Sequence, residues 1–142
     1  MLVSQILKDK GDLVFTVSPH ETVAQAAVLL DQRKVGAMVV VNQNDAVVGI
    51  LSERDVVRVV AQDGPLGLNR AVSSCMTKDV IFALPSETVD SLLGRMTDRR
   101  VRHLPVMNKG RLAGLISIGD LVKRKIAETE AEAETLKAYI AT

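Results

Sequence analysis

Gly49-Ile50-Leu51-Ser52-Glu53-Arg54-Asp55-Val56-Val57 returns later in the chain as Gly114-Leu115-Ile116-Ser117-Ile118-Gly119-Asp120-Leu121-Val122. Both copies read glycine, two apolar residues, serine, two variable residues, aspartate, two apolar residues. Val47 and Val48 lead into the first copy, Leu112 and Ala113 into the second, and such apolar runs suggest buried strands. Beyond the serine the spacing turns helical. Each copy therefore reads as a strand running into a helix, with serine at the turn and aspartate one helical step in.

Ser-x-x-Asp at a helix start supports two readings. In one, serine caps the first turn and the acid completes a capping box at the positive end of the helix dipole. In the other, the same geometry serves a ligand. An ionised carboxylate has only acceptors and can take both donors of a ribose 2′,3′-diol, while the N–H groups of a helix start favour a phosphate. Repetition at equivalent places in two half-chains keeps the second reading in play.

The repeat extends well beyond this stretch. Pro19-His20-Glu21-Thr22-Val23 matches Pro85-Ser86-Glu87-Thr88-Val89, Arg33-Lys34-Val35 matches Arg99-Arg100-Val101, and Val3-Ser4 matches Val72-Ser73. Two copies are too few for a solenoid, which suggests pairing by pseudo-twofold symmetry. Each copy opens on an apolar segment, Val3 to Leu7 or Val72 to Met76, read as a short helix. Val14 to Val17 and Val80 to Ala83 read as short strands broken by Pro19 and Pro85. Thr22 and Thr88 are candidate caps of helices running through Val23, Ala26, Ala27 and Leu30, and through Val89, Leu92, Leu93 and Met96. Met38 to Val41 and Leu104 to Met107 are strands, and Asn42 to Asp45 and Asn108 to Gly110 hairpin turns. The order strand, helix, strand, strand, helix predicts an α+β fold: two related domains, each a three-stranded sheet with helices outside, the sheets packed together.

Asp63-Gly64-Pro65-Leu66-Gly67 is the breaker cluster between periodic segments and marks a linker. It sets a first domain at 1–67, with the N-terminal helix, a second at 68–127, and a polar, strongly helix-forming tail at 128–142. In the tail Ile126, Ala133 and Ile140 fall seven apart with Thr129 and Leu136 between them, short of the roughly three to four heptads of a coiled coil.

Composition narrows the function classes. A net charge of +1 supplies no field that would draw the chain to nucleic acid or membrane. With no Trp, one Tyr and two Phe there is no base-stacking platform. The single cysteine, Cys75, leaves neither an internal disulfide framework nor a multi-cysteine zinc site and reads as a small core residue. Met1 to Lys8 lack the features of a signal peptide, and no apolar run reaches membrane-span length, so the cytoplasm is the expected compartment.

The ordered set Thr16-Val17-Ser18-Pro19-x-x-Thr22-Val23, Arg102-His103-Leu104-Pro105-Val106 and the two Gly-x-x-Ser-x-x-Asp turns resembles a tandem pair of cystathionine β-synthase-type (CBS) domains, a Bateman module, over residues 1 to about 126. The resemblance implies two symmetry-related clefts that take adenosine compounds: AMP, ADP, ATP, NAD(H) or, less favoured, S-adenosylmethionine. It also implies a role in signal transduction or energy sensing, exerted on an attached or separate protein that the sequence does not name. Carried over by residue, one cleft would use Ile50, Ser52, Arg54 and Asp55 with Val80, Ile81, Arg102, His103 and Pro105. The other would use Leu115, Ser117, Gly119 and Asp120 with Val14, Phe15, Val35 and Gly36. Because Arg102-His103 aligns with Val35-Gly36, and Arg54 with Gly119, the first cleft is the expected phosphate-preferring one.

Other chemistries find less support. The group Arg95, Arg99, Arg100, Arg102 and His103 invites nucleic acid, against which the balanced charge argues. No serine or cysteine nucleophile pattern surrounds His103, no histidine spacing suggests metal, and neither a Rossmann fingerprint nor a P-loop is present. The reading is a regulatory module and not an enzyme, expected to form a homodimer through helices Val56 to Ala61 and Leu121 to Ile126. A scaffold whose serines and aspartates only cap helices is the alternative.

Overall fold

A computed structural model describes residues 1–11 and 14–141, so Asp12, Leu13 and Thr142, which the repeat and tail boundaries span, lie outside the described residues. The elements in order are α1 (Val3–Lys10), β1 (Thr16–Val17), α2 (Val23–Arg33), β2 (Ala37–Val41), β3 (Val47–Ser52), α3 (Glu53–Asp63), α4 (Val89–Arg99), β4 (His103–Asn108), β5 (Arg111–Ser117) and α5 (Ile118–Ala141). Two 3₁₀ segments, Gly64–Asn69 of two turns and Val72–Ser74 of one, lie between α3 and α4. The architecture is mixed α+β, as the repeat predicts.

The compact units do not follow the sequence boundary at 67/68. One unit is Leu13–Ile81; the other combines Met1–Asp12 with Phe82–Thr142. The opening segment of each repeat thus belongs to the other repeat's unit, and helix α1, assigned by sequence to the first domain, packs with the second. The bonds responsible come in matching sets. Val3 and Ser4 N–H groups donate to the Glu87 and Pro85 carbonyls, and Val89 N–H to that of Met1, at 2.9–3.0 Å. Val72 and Ser73 donate to Glu21 and Pro19, and Val23 to Arg70, at 2.8–3.0 Å. The repeated Pro-x-Glu-Thr-Val is therefore a docking turn whose carbonyls receive the opening segment.

The first unit holds a three-stranded sheet in the order β1-β2-β3, with β1 parallel and β3 antiparallel to β2. Its core is Val17, Val23, Ala26, Leu30, Met38, Val40, Leu51 and Val59, closed by Val72 and Cys75. Thr22 caps α2, accepting from Gln25 N–H at 3.1 Å while its own N–H donates to the Gln25 side chain. Lys34, in the left-handed region at φ 54°, ends that helix, as Arg100 at φ 55° ends α4. The expected linker is not slack: Gly67 is buried, and a Cβ there would stand 2.6 Å from a methyl carbon of Val59.

The second unit departs from the expected three-stranded sheet. β4 and β5 form a complete hairpin, but Val80 to Ala83 makes only a single parallel bridge, between Ala83 and Val106. Ala83 N–H donates to the Pro105 carbonyl and Met107 N–H to that of Ala83, both at 2.9 Å. Pro105 stands where Val39 stands in the first unit and has no N–H with which to carry the ladder further toward Val80. The expected helix at Val72 to Met76 likewise shortens to one 3₁₀ turn. Helix α5 runs through the C-terminal tail; Leu121 is buried, Arg124 and Glu128 are half-buried, and every residue from Thr129 to Ala141 is exposed.

Candidate functional site

Strand β3 ends at Ser52 and α3 begins at Glu53, so the first Ser-x-x-Asp is a strand-to-helix junction. Ser52 is the N-cap, in extended conformation, with Asp55 at the third helical position. Asp55 N–H donates to Ser52 Oγ at 3.3 Å, while Ser52 N–H and O–H donate to Asp55 Oδ2 at 2.9 and 3.2 Å. The other oxygen is also taken, since Arg58 Nη2 donates to Asp55 Oδ1 at 2.7 Å and to the Cys75 carbonyl at 3.2 Å. The Asp55 side chain is 4% exposed. The carboxylate is buried with both oxygens engaged, and through Arg58 it ties α3 to the segment at Cys75.

The second junction shares the cap but not the closure. β5 ends at Ser117 and α5 starts at Ile118. Ser117 N–H donates to Asp120 Oδ2 at 2.9 Å and Asp120 N–H to Ser117 Oγ at 3.1 Å. The cation comes from α1, with Lys10 Nζ 2.7 Å from Asp120 Oδ2 and 2.8 Å from the Leu115 carbonyl. The Asp120 side chain is 25% exposed. It lines a cavity of about 280 Å³ with Ile6, Asp9, Lys10, Lys123, Arg124 and Ala127. Burial pushes the Asp120 carboxyl up, but the Lys10 ammonium and the Ser117 N–H outweigh it and hold the group below its ordinary value.

That balance gives a pH test. A carboxyl lowered in the folded state adds stability that is complete above its unfolded pKa and is lost as pH falls through the lower folded value. Lys10→Ala removes the chief lowering partner and leaves burial in place. The Asp120 titration, followed by carboxyl ¹³C NMR, should therefore move upward, and its contribution in the acid range should shrink. An unmoved Asp120 titration would show that Lys10 does not set it.

The remaining predicted residues divide by unit. Ile50 bonds reciprocally with Thr77, at 2.9 and 3.0 Å, which brings the segment leading to Val80 and Ile81 into the unit of Ser52 and Asp55. The sequence reading drew that segment from the second copy. Val35 and Gly36 are in this unit too, the Gly36 carbonyl accepting Glu53 N–H at 2.9 Å. Val14 and Phe15 line a cavity of about 230 Å³ with Thr16, Leu29, Arg33 and Met38. The Arg33 guanidinium lies 4.3 Å from the centre of the Phe15 ring. Arg54 is exposed on the first turn of α3.

Arg102, His103 and Pro105, which the resemblance draws from the second copy to join Ser52 and Asp55, lie in the unit of Ser117 and Asp120. His103 pairs with Ser117 and Pro105 with Leu115 across the hairpin, and the Arg102 carbonyl accepts Ile118 N–H at 2.8 Å. Gly119 and Asp120 follow in the same turn, and the Arg102 side chain is exposed. His103 and the Arg102 carbonyl thus adjoin the turn that leads to Asp120.

Two cations escaped the sequence reading. Arg58 was detectable, three residues after Asp55 on one helix face. Lys10 was not: it is 110 residues from Asp120, and its repeat counterpart is the oppositely charged Asp79. The basic group is partly committed elsewhere. Arg95 pairs with Glu87 and donates to the Phe82 carbonyl at 2.9 Å, and its hydrogen bonds hold the Glu87 carboxyl below the usual range. Among the described residues, no group of three or more His, Cys, Asp or Glu could hold a metal, and no helix is long and apolar enough to cross a membrane.

Comparison with known proteins agrees with the tandem architecture. The CBS domain pattern matches residues 11–62 and again 72–126. The chain is 33% identical to the mitochondrial CBS domain-containing protein CBSX3 of Arabidopsis thaliana, over 97% of this chain and 71% of that protein. The crystal structure of the CBS-domain containing protein ATU1752 from Agrobacterium tumefaciens superposes with a TM-score of 0.85 at 44% identity, covering 87% of this chain and 92% of that one. The CBS domain protein PAE2072 from Pyrobaculum aerophilum, complexed with AMP, gives a TM-score of 0.75 at 27% identity, covering 84% and 89%. The two CBS-domain matches, each spanning one Ser-x-x-Asp junction, place this chain in the CBS domain family, as a tandem pair.

Proposed function

We propose that the chain is a regulatory module that binds an adenosine compound at the Asp120 junction and passes the resulting change to a second copy or a partner protein. The observation that carries this reading is the partly exposed Asp120 carboxylate, beside a cavity whose wall bears Lys10, Lys123 and Arg124. A carboxylate acceptor suits ribose hydroxyls, and ammonium and guanidinium groups suit phosphate. The AMP complex of PAE2072 supports the ligand class. On this reading the phosphate-preferring site is the Asp120 junction and not that of Asp55, which spends both oxygens on its own fold. Exposed Val57, Val60, Val122 and Ile126 supply apolar surface through which the change could reach a neighbour. A ligand shifts such an equilibrium only by its affinity difference between the two shapes.

A thermal-shift series with AMP, ADP, ATP, NADH and S-adenosylmethionine tests it. At 100-fold excess over Kd a ligand adds about 2.7 kcal/mol, several degrees in Tm. Asp120→Asn should keep most of the unliganded Tm, because the amide oxygen still accepts the Ser117 N–H, and should lose most of the ligand-induced shift. If none of the five compounds moves the wild-type Tm, the scaffold reading replaces this one.

A further inference from the structure

On helix α5 the residues Val122, Ile126, Thr129, Ala133, Leu136 and Ile140 follow one another at steps of four, three, four, three and four. That is the a/d seam of a coiled coil. The four large apolar members are exposed, Val122 43%, Ile126 54%, Leu136 59% and Ile140 75%. The seam lies beside the face that docks the helix, where Leu121 is buried, Arg124 pairs with Asp9, and Glu128 lies 3.0 Å from the Met1 ammonium. Beyond Glu128 the helix continues to Ala141 with every residue exposed. A stretch of that length is marginal in water unless something packs on it.

The charges flanking the seam identify the occupant. With Ile126 and Ala133 at a, the g positions are Lys125, Glu132 and Tyr139 and the e positions are Lys123, Glu130 and Lys137, of which Lys123 and Tyr139 have no g–e partner between Val122 and Ile140. In a parallel pair each g residue meets the e residue five places on in the other helix. Lys125 then faces Glu130 of the partner subunit, and Glu132 faces the partner's Lys137: every pair is opposite in sign. An antiparallel pair brings g against g and e against e, and sets Glu130 and Glu132 against their own kind. We infer that α5 pairs with α5 of a second copy as a parallel two-stranded coiled coil over Val122 to Ile140. The inference goes beyond the adenosine reading and stands without it. The seam spans fewer than three heptads with Thr129 and Ala133 at its middle, so the pairing is weak and depends on concentration. Lys125 also reaches Asp90 of its own chain at 2.9 Å, with both side chains well exposed and free to turn.

Cysteine cross-linking of the full chain in a glutathione redox buffer tests the pairing. A d residue meets its own copy in a parallel coil, whereas Ala131, at f, points away. Leu136→Cys should cross-link at least roughly tenfold more than Ala131→Cys; the native Cys75 is buried. In sedimentation equilibrium Lys137→Glu should weaken the dimer by roughly tenfold, and adding Glu132→Lys should restore it. Equal cross-linking at 131 and 136, or no rescue by the second swap, would overturn the coil even if a dimer persisted through another surface. A chain monomeric at every concentration would overturn it too. A nucleotide titration lies outside all these outcomes, so failure here leaves the adenosine reading to its own test.

Discussion

Asp55→Ala should lower stability by about 2–3 kcal/mol with no ligand present, because it strips a buried cap of both its acceptors. The Ser52 N–H loses its partner, and Arg58 loses the anchor that holds it against the Cys75 carbonyl. Arg58 is half exposed, so its charge can return to water and the cost stays below that of a fully buried broken pair. Asp120→Ala removes a cap of the same design from a more open place and should cost about 1 kcal/mol. Urea unfolding of the two variants side by side reads the difference. Equal costs would mean that the contrast in burial between the two aspartates is without energetic consequence. A variant at Asp55 therefore reports on the fold, whereas Asp120→Asn reports on the ligand with most of the fold's stability kept.

Gly49→Ala should be the other severe substitution, at about 3 kcal/mol. A Cβ at Gly49 would stand 2.5 Å from Met76 Sδ, 2.8 Å from its Cγ and 2.9 Å from the Thr77 carbonyl oxygen. Methionine can yield, but the Thr77 carbonyl accepts the Ile50 N–H and is held in place. At the matching position of the second unit, a Cβ on Gly114 would press on a single methyl carbon of Leu7, 2.4 Å away. The end of a leucine side chain can rotate, so Gly114→Ala should cost only about 1 kcal/mol. Thermal and urea melts of both variants check the ranking, and a milder effect at Gly49 than at Gly114 would contradict it. The comparison explains why each motif opens on glycine: in both units the opening segment of the other repeat, at Met76 or Leu7, crosses directly over it.

What could be read from the sequence was local and periodic. The strand-to-helix turns at Ser52 and Ser117, the caps at Thr22 and Thr88 and the two hairpins each depend on residues a few positions apart. The tandem CBS pair followed from their order. Exchange of the opening segments between units could not be read, because it rests on carbonyls at Pro19, Glu21, Pro85 and Glu87 that any residue types could supply. The missing strand at Val80 was legible in principle, since Pro105 takes a donor out of the adjoining strand. At the candidate site the sequence found both aspartates but could not tell the buried one from the open one. The two motifs are nearly identical, and the difference comes from Arg58 in one unit and Lys10, from the far end of the chain, in the other. Arg102 and His103, which the resemblance draws from the second copy, do lie in that copy's unit, where hairpin pairing sets His103 opposite Ser117.

The most direct measurement is isothermal titration of AMP into the wild-type chain and into Asp120→Asn at neutral pH. The wild type should bind with measurable heat, and the variant, still folded by circular dichroism, should bind at least roughly tenfold more weakly for want of the charged hydroxyl acceptor. Equal affinity in the two proteins would contradict the assignment of ligand binding to the Asp120 junction.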